Sequence, residues 1–594
     1  MADQISEQLE KLEERFKSVG VSRRGFMKIA AAAAAGTVAV DGVARYAGPV
    51  AAAAPAAQDI GPDDKFYNYF LFDDPTSFDW NLDLYCNAEQ ETFAGLLTYD
   101  ADLNAVPDWA ETFTSNEDAS VWTFNIRKDN LGWSNGAEQR PVTAHDFVWS
   151  FARQLNPDNG AAYAGFLFDI KNAEAFNLGT EVDGKKVTAE DLGTKAIDDW
   201  TLELTMEGPR AYFPQVVAYL AAFPSAQWAV EEYGSDKWAS GDVPLWSNGP
   251  YLLDKWEHDV MVEISPNPGY WDAERVSLKK VYDPILPSDS TILTFEKGDG
   301  NQRLDWVNID AANLERYQND PELSQLLKRY VYPGIWMLVP SNGIPPFDKL
   351  EVRRALSHAV DRTRLVALTM GLQIEAFCMV PTGVFGFIDD PAISEIQKFD
   401  PALAMEQLKD TEFEGGKNWP ADITLHMRGQ EEQYNADLMA NDIVAQLKEN
   451  LGMDVKIQVW PEASWRPELF KNQFPLVWIR WWYDYPDPNN GYGDMFYSRK
   501  SSGKRQAWSN DEFDDLVNDG KAEPDPQKRL DIYKQAETVI QEDVGYIPVV
   551  YRLDQYAFKP WVKDVAQNKQ GFTVPEGNIY TRMLVDIHVD GREE

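Results

Sequence analysis

Residues 479–496 read IRWWYDYPDPNNGYGDMF, a stretch in which six aromatic side chains gather around three aspartates, Asp484, Asp487 and Asp494. It contains no histidine, cysteine or serine, so it offers neither a nucleophile nor a soft metal ligand. Two readings follow from the residues alone. Asp-Pro and Pro-Asp dipeptides commonly make turns, and aromatic runs commonly fill cores. A run of flat rings beside carboxylates can equally line a binding site.

The chain around this stretch is long and ordinary in composition. Its 594 residues exceed one hydrophobic core and imply two or more domains, each large enough to fold without disulfides. A hydrophobic content of 44%, with Gly and Pro dispersed throughout, describes a soluble globular protein; the 21 tryptophans are unusual. A net charge of −41 argues against nucleic-acid binding, which needs clustered Lys and Arg, and suits a salty or extracytoplasmic setting. The only two cysteines, Cys86 and Cys378, give no disulfide framework and no Cys-rich metal site, while a single bridge between them stays open.

At the N-terminus, Ser22-Arg-Arg-Gly-Phe-Met-Lys28 precedes the mildly apolar IAAAAAAGTVAV and then AAAAPAA. A cationic anchor, a short apolar segment and small residues that can be cleaved together look like a twin-arginine signal peptide. Residues 1–57 are therefore set aside from the fold as a leader.

Beyond the leader, strand and helix signals intermingle, as in an α/β or α+β protein. VWTFNI places Trp122, Phe124 and Ile126 on one face, and WTLELTM does the same with Trp200, Leu202, Leu204 and Met206. Thr143 with Asp146 forms a capping box ahead of Phe147, Phe151 and Leu155. Asp348 precedes a helix carrying Val352, Leu356 and Val360, whose polar face is expected to hold Arg353, Arg354 and Asp361. Asn135-Gly136 reads as a turn, and Gly249-Pro250 as strand punctuation. No linker divides the chain, as expected if lobes share strands.

Signatures of catalysis are missing from the sequence. None of the five histidines belongs to HExxH, and there is no GxSxG elbow, phosphate loop, dinucleotide fingerprint or calcium loop. A carboxylate pair acting on glycans or peptides needs no such motif, so a secreted carboxylate hydrolase stands as the alternative from another class.

Segments along nearly the whole mature chain carry a family resemblance. They are TFAGLLTYD (92–100), WTFNIRKDNLGWSNG (122–136), PVTAHDFVWSFARQLNP (141–157), KAIDDWTLELT (195–205), SNGPYLL (247–253), NPGYWD (267–272), PPFDKLEVRRALSHAVDR (345–362) and WYDYPDP (482–488). KPWV and NIYTRM follow near the C-terminus. In this order and spacing the chain resembles the extracytoplasmic solute-binding proteins of peptide-type ABC importers (family 5), and among them the oligopeptide binders. The resemblance implies an α/β, two-lobed periplasmic-binding-protein-like fold of type II with an extra subdomain and a hinge. The expected limits are residues 58–93, 225–333 and 554–594 for one lobe, 94–224 for the subdomain and 334–553 for the opposing lobe. It implies a non-enzymatic monomer without cofactor or metal, which closes on a peptide and docks on membrane permease subunits.

In this family the peptide lies between the lobes as an added strand, and an aspartate answers its α-amino group. Asp484 occupies that position, Arg480, Trp481, Trp482 and Tyr483 form the flanking strand, and Asp487 is left as a turn residue. Tyr163 matches a ligand-touching position across the cleft, and Tyr85, in LDLYC, is expected to pass it. Cations that receive the peptide carboxylate in the relatives are replaced by Leu469, Phe470 and Trp478. Arg480 stands where the relatives have glycine, either to meet a ligand carboxylate or to reach outward beside the tryptophans. The resemblance also admits dipeptides, metal chelates and sugars as ligands.

Overall fold

The computed structural model describes residues 61–69, 73–83, 86–298, 300, 303–429, 431, 435–500, 504–573 and 583–592. The twin-arginine leader and Tyr85 lie outside the described residues. Strands β1 (Lys65–Tyr67), β2 (Ala110–Ser115), β3 (Val121–Ile126), β4 (Thr194–Asp198), β5 (Thr201–Thr205), β6 (Tyr251–Glu257), β7 (Met261–Pro266) and β8 (Lys280–Pro284) build two sheets. Their orders are β1-β8-β7-β6 and β4-β5-β3-β2. The alternation in VWTFNI sends Trp122, Phe124 and Ile126 into the core of the second, where Leu202 and Leu204 join them from β5. Helix α1 (Ala144–Leu155) starts as its capping box dictates, the Thr143 N–H donating to Asp146 at 2.7 Å. Gly249 is required where it stands, because a Cβ there would lie 2.4 Å from the Glu91 carbonyl oxygen.

A mixed seven-stranded sheet follows, made of β9 (Trp306–Asn308), β10 (Leu327–Pro340), β11 (Gln373–Glu375), β12 (Thr424–Arg428), β13 (Lys456–Trp460), β14 (Leu476–Trp482) and β15 (Ile547–Phe558). The order is β9-β15-β10-β14-β12-β13, with β11 on the free side of β15. The antiparallel ladder between β10 and β15 is its spine. It runs from Leu327 opposite Ala557 to Leu338 opposite Ile547, and its register shifts between Val331 and Ile335. A bulge of this kind bends and twists the strands that carry it. Below it, Trp336 and Leu338 enter a core with α2 (Leu350–His358) and α3 (Ala436–Leu451), while Ala557 above it packs with Phe295, Val307 and Leu314.

One expectation fails at α2. Arg353 is buried, not on a polar face; its guanidinium donates to the carbonyl and carboxylate of Asp543 and so ties α2 to the turn after a distant helix. Arg354 is half-buried and donates to the Glu542 carbonyl, and Asp361 caps the next helix by accepting from the Arg364 N–H. Val360 is buried but lies past the helix end. Cys86 and Cys378 are both buried and unbridged, and burial pushes the Cys378 thiol up to about 12.

Candidate functional site

The quoted stretch begins as β14, which pairs antiparallel with β10 so that Trp482, Arg480 and Trp478 lie opposite Gly334, Trp336 and Leu338. Strand alternation separates its side chains. Trp478 stacks on Trp336 in one core at 5.2 Å between ring centroids, whereas Ile479, Trp481 and Tyr483 join the large core on the other face. Tyr483 leaves the strand with its N–H on the Pro333 carbonyl and its hydroxyl on the Met379 carbonyl, 3.2 Å away.

The loop that follows is fixed by its own side chains. Asn490 Oδ1 accepts from the Trp481 indole N–H at 2.8 Å and the Asp484 backbone N–H at 3.1 Å. Its amide donates to Asp494, which also accepts from the Tyr485 hydroxyl. Asp487 caps the short helix Pro488–Gly491 and is gripped at both oxygens by Arg529, each at 2.6 Å, on helix α5 (Pro526–Glu542). Across from the loop, Tyr212 stacks on Tyr485 at 5.9 Å and Phe166 meets its edge at 6.0 Å. The Ala211 N–H donates to the Lys521 carbonyl. These contacts fasten the 94–224 segment to the loop.

A cavity of about 810 Å³ opens beside it, lined by Trp478 to Asp484, by Trp465, Arg466 and Leu469 of helix α4 (Glu462–Leu469), by Tyr332, and by Tyr163 and Tyr219 from the facing segment. Its size suits a ligand of a few residues. The expected residues Asp484, Arg480, Trp481, Trp482, Tyr483 and Tyr163 thus meet around one space. Tyr163 stacks on Phe166 at 4.9 Å and leans on Tyr219. Arg480 is spoken for: it donates to Glu431 at 2.6 Å and lies 4.6 Å over the Trp482 ring.

Asp484 has a different environment. Burial, reinforced by the negative Asp494, pushes its carboxyl up to about 7, against the opposing pull of Arg505, the Asn490 amide and Arg466. Among the described residues no cation lies within ion-pairing distance of it. Arg466 and Arg505 are the residues that the sequence reading missed. Arg466 sits one helical turn before Leu469 and Phe470, the positions read as having lost their charge, and the spacing of three and four residues is the signal that finds it. Arg505 comes from the stretch KSSGKRQAW, where no local pattern points to a site.

Among the described residues no group of three or more His, Cys, Asp or Glu side chains is arranged to hold a metal ion, and no helix is long and apolar enough to cross a membrane.

Comparison with known proteins gives the family of the chain. Residues 104–503 match the family "Bacterial extracellular solute-binding proteins, family 5 Middle". The chain is 29% identical over 504 residues to the oligopeptide-binding protein OppA of Bacillus subtilis, covering 83% of this chain and 87% of that one. It is 28% identical over 560 residues to the probable deoxycholate-binding periplasmic protein YgiS of Escherichia coli, covering 90% and 96%. The solved unliganded open form of the periplasmic murein tripeptide binding protein MppA superposes with a TM-score of 0.73 at 24% identity, over 90% of this chain and 99% of that one.

Proposed function

Because the chain belongs to the family 5 bacterial extracellular solute-binding proteins, which bind and do not catalyse, we propose that it captures peptides in this cavity and delivers them to the permease subunits of an ABC importer. The observation that carries this reading is Asp484: a carboxyl group at the cavity wall, at the end of an aromatic strand, with no cation paired to it among the described residues. A peptide's α-ammonium supplies that cation. Binding then ionises Asp484 and releases its proton, while Trp481, Trp482 and Tyr163 provide apolar walls that accept many side chains.

The lobes divide, in this reading, near residues 333/334 and 553/554, where β10 and β15 pass from one core to another through the bulge. Closure on a ligand bends the ladder there. Export of the folded monomer by the twin-arginine route fits the SRRGFMK leader. Native mass spectrometry of the mature protein and of Asp484→Ala tests the ligand. Co-purifying peptides that disappear in the variant support peptide capture at this residue; peptides retained by the variant contradict it.

The rings around the cavity favour a second reading, in which the ligand is a non-peptide amphipathic molecule with a large apolar body, the class suggested by the deoxycholate in the name of the 28% identical YgiS. A single non-peptide mass in the same experiment would select it.

A further inference from the structure

The cavity wall is richer in positive charge than the protein that surrounds it. Four arginines, Arg428, Arg466, Arg480 and Arg505, line it against three acids, Glu431, Glu462 and Asp484, in a chain of net charge −41. Two of the arginines are answered within the wall: Arg428 pairs with Glu462, and Arg480 with Glu431. Arg505 is not. Its guanidinium lies 4.7 Å over the Trp481 ring and 5.6 Å over Phe470, and no described residue accepts a hydrogen bond from it or pairs with it. Stacking holds the flat group in place while leaving its N–H edge free for an anion, the geometry in which arginine takes a carboxylate with two bonds.

Asp484 and Arg505 face the same space and each acts on the other's charge. Building on the reading of Asp484 as the amine partner, we propose that Arg505 selects ligands carrying a carboxylate beside their amino end, one received by Arg505 and the other by Asp484. That carboxylate is either the terminus of a dipeptide or an acidic side chain next to the first residue of a longer peptide. The preference is written by a residue outside the 479–496 stretch, on a segment whose position in the chain gives no hint of it. Stacking on Trp481 also couples the two groups mechanically, because the same indole is pinned by Asn490, which holds the Asp484 backbone.

Calorimetric titration of ligand-free protein with matched pairs tests the proposal. One pair is Ala-Glu-Ala-Ala-amide against Ala-Gln-Ala-Ala-amide; the other is Ala-Ala against Ala-Ala-amide. In the natural protein the acid member of one pair should bind about tenfold or more tightly than its neutral partner, the worth of a charge-assisted pair. Arg505→Gln should bring both members to the affinity of the neutral one, and Arg505→Lys should keep part of the difference. Which pair discriminates tells the source of the carboxylate. Equal affinities in the natural protein, or a preference that survives Arg505→Gln, overturn the proposal. If the neutral members bind and lose affinity on N-acetylation, the peptide reading stands and only the role of Arg505 falls; if none of the four binds, both fall together.

Discussion

Asp484 and Asp487 share one loop, three residues apart, and differ in who answers their charge. Asp487 is sealed: it caps a helix, receives both arms of Arg529 and is almost wholly removed from solvent. Asp484 faces the cavity with its carboxyl pushed up to about 7 and, among the described residues, no cation bonded to it. Neighbouring acids in the same DYPD thus differ in whether the fold answers their charge. The distinguishing feature is whether a basic side chain from another element has been brought against them, and α5 brings one to Asp487 alone.

The largest test of this contrast is Asp487→Ala. It strands a buried guanidinium, and thermal or urea unfolding should register a loss of about 3–5 kcal/mol, with peptide affinity of the folded fraction little changed. Asp484→Asn should reverse the pattern. Stability is kept, and calorimetry should find binding of a free-amine peptide weakened by about 2–5 kcal/mol, the cost of leaving one member of a desolvated charge pair alone. Equal losses of stability in the two variants would erase the distinction. Between these lies Gly334→Ala, because a Cβ at Gly334 would sit 2.1 Å from the Trp482 ring. Displacing that wall should cost about 1–3 kcal/mol of stability and weaken binding together, the signature of a packing fault.

The smallest effect is on pH. Asp484 holds its proton more tightly in the folded empty protein than in the unfolded chain, since its carboxyl is raised from the usual range near 3.8 to about 7. Its contribution to stability is therefore present at low pH and fades as the pH rises toward 7. Ligand binding runs the other way, because an ammonium needs the ionised form: affinity should fall about tenfold for each pH unit below 7. Asp484→Asn should flatten both trends. Opposite slopes that persist in the variant would assign them to another group.

Much of the scaffold is legible in the sequence because its signals are local. The alternation of Trp122, Phe124 and Ile126 and the Thr143–Asp146 box each depend on residues a few positions apart, and both appear as written. Tertiary partners are what the sequence hides. Arg353 looks like a surface residue until Asp543 arrives from 190 residues away. The candidate site divides along the same line. Trp481, Trp482 and Asp484 stand in one readable stretch, and Tyr163 comes through family order. Arg505 reaches the cavity only because the fold carries an unpatterned segment to Trp481. Leu469 and Phe470 carry no charge, and the arginine that helix α4 brings to the cavity, Arg466, stands one turn earlier.

The ladder between β10 and β15 bears on how such a chain is made. β15 lies inside its sheet, flanked by β10 on one side and by β9 and β11 on the other, yet it is the last of the seven strands to be synthesised. Until Ile547–Phe558 leaves the ribosome, the cores on both sides of the bulge lack a wall, so neither can close as an independent unit. Pairings this distant in sequence carry a high loop-closure entropy and slow the search for the native state. Consolidation of these two cores thus waits on the arrival of β15, and a chain lacking Ile547–Phe558 would have both of them open.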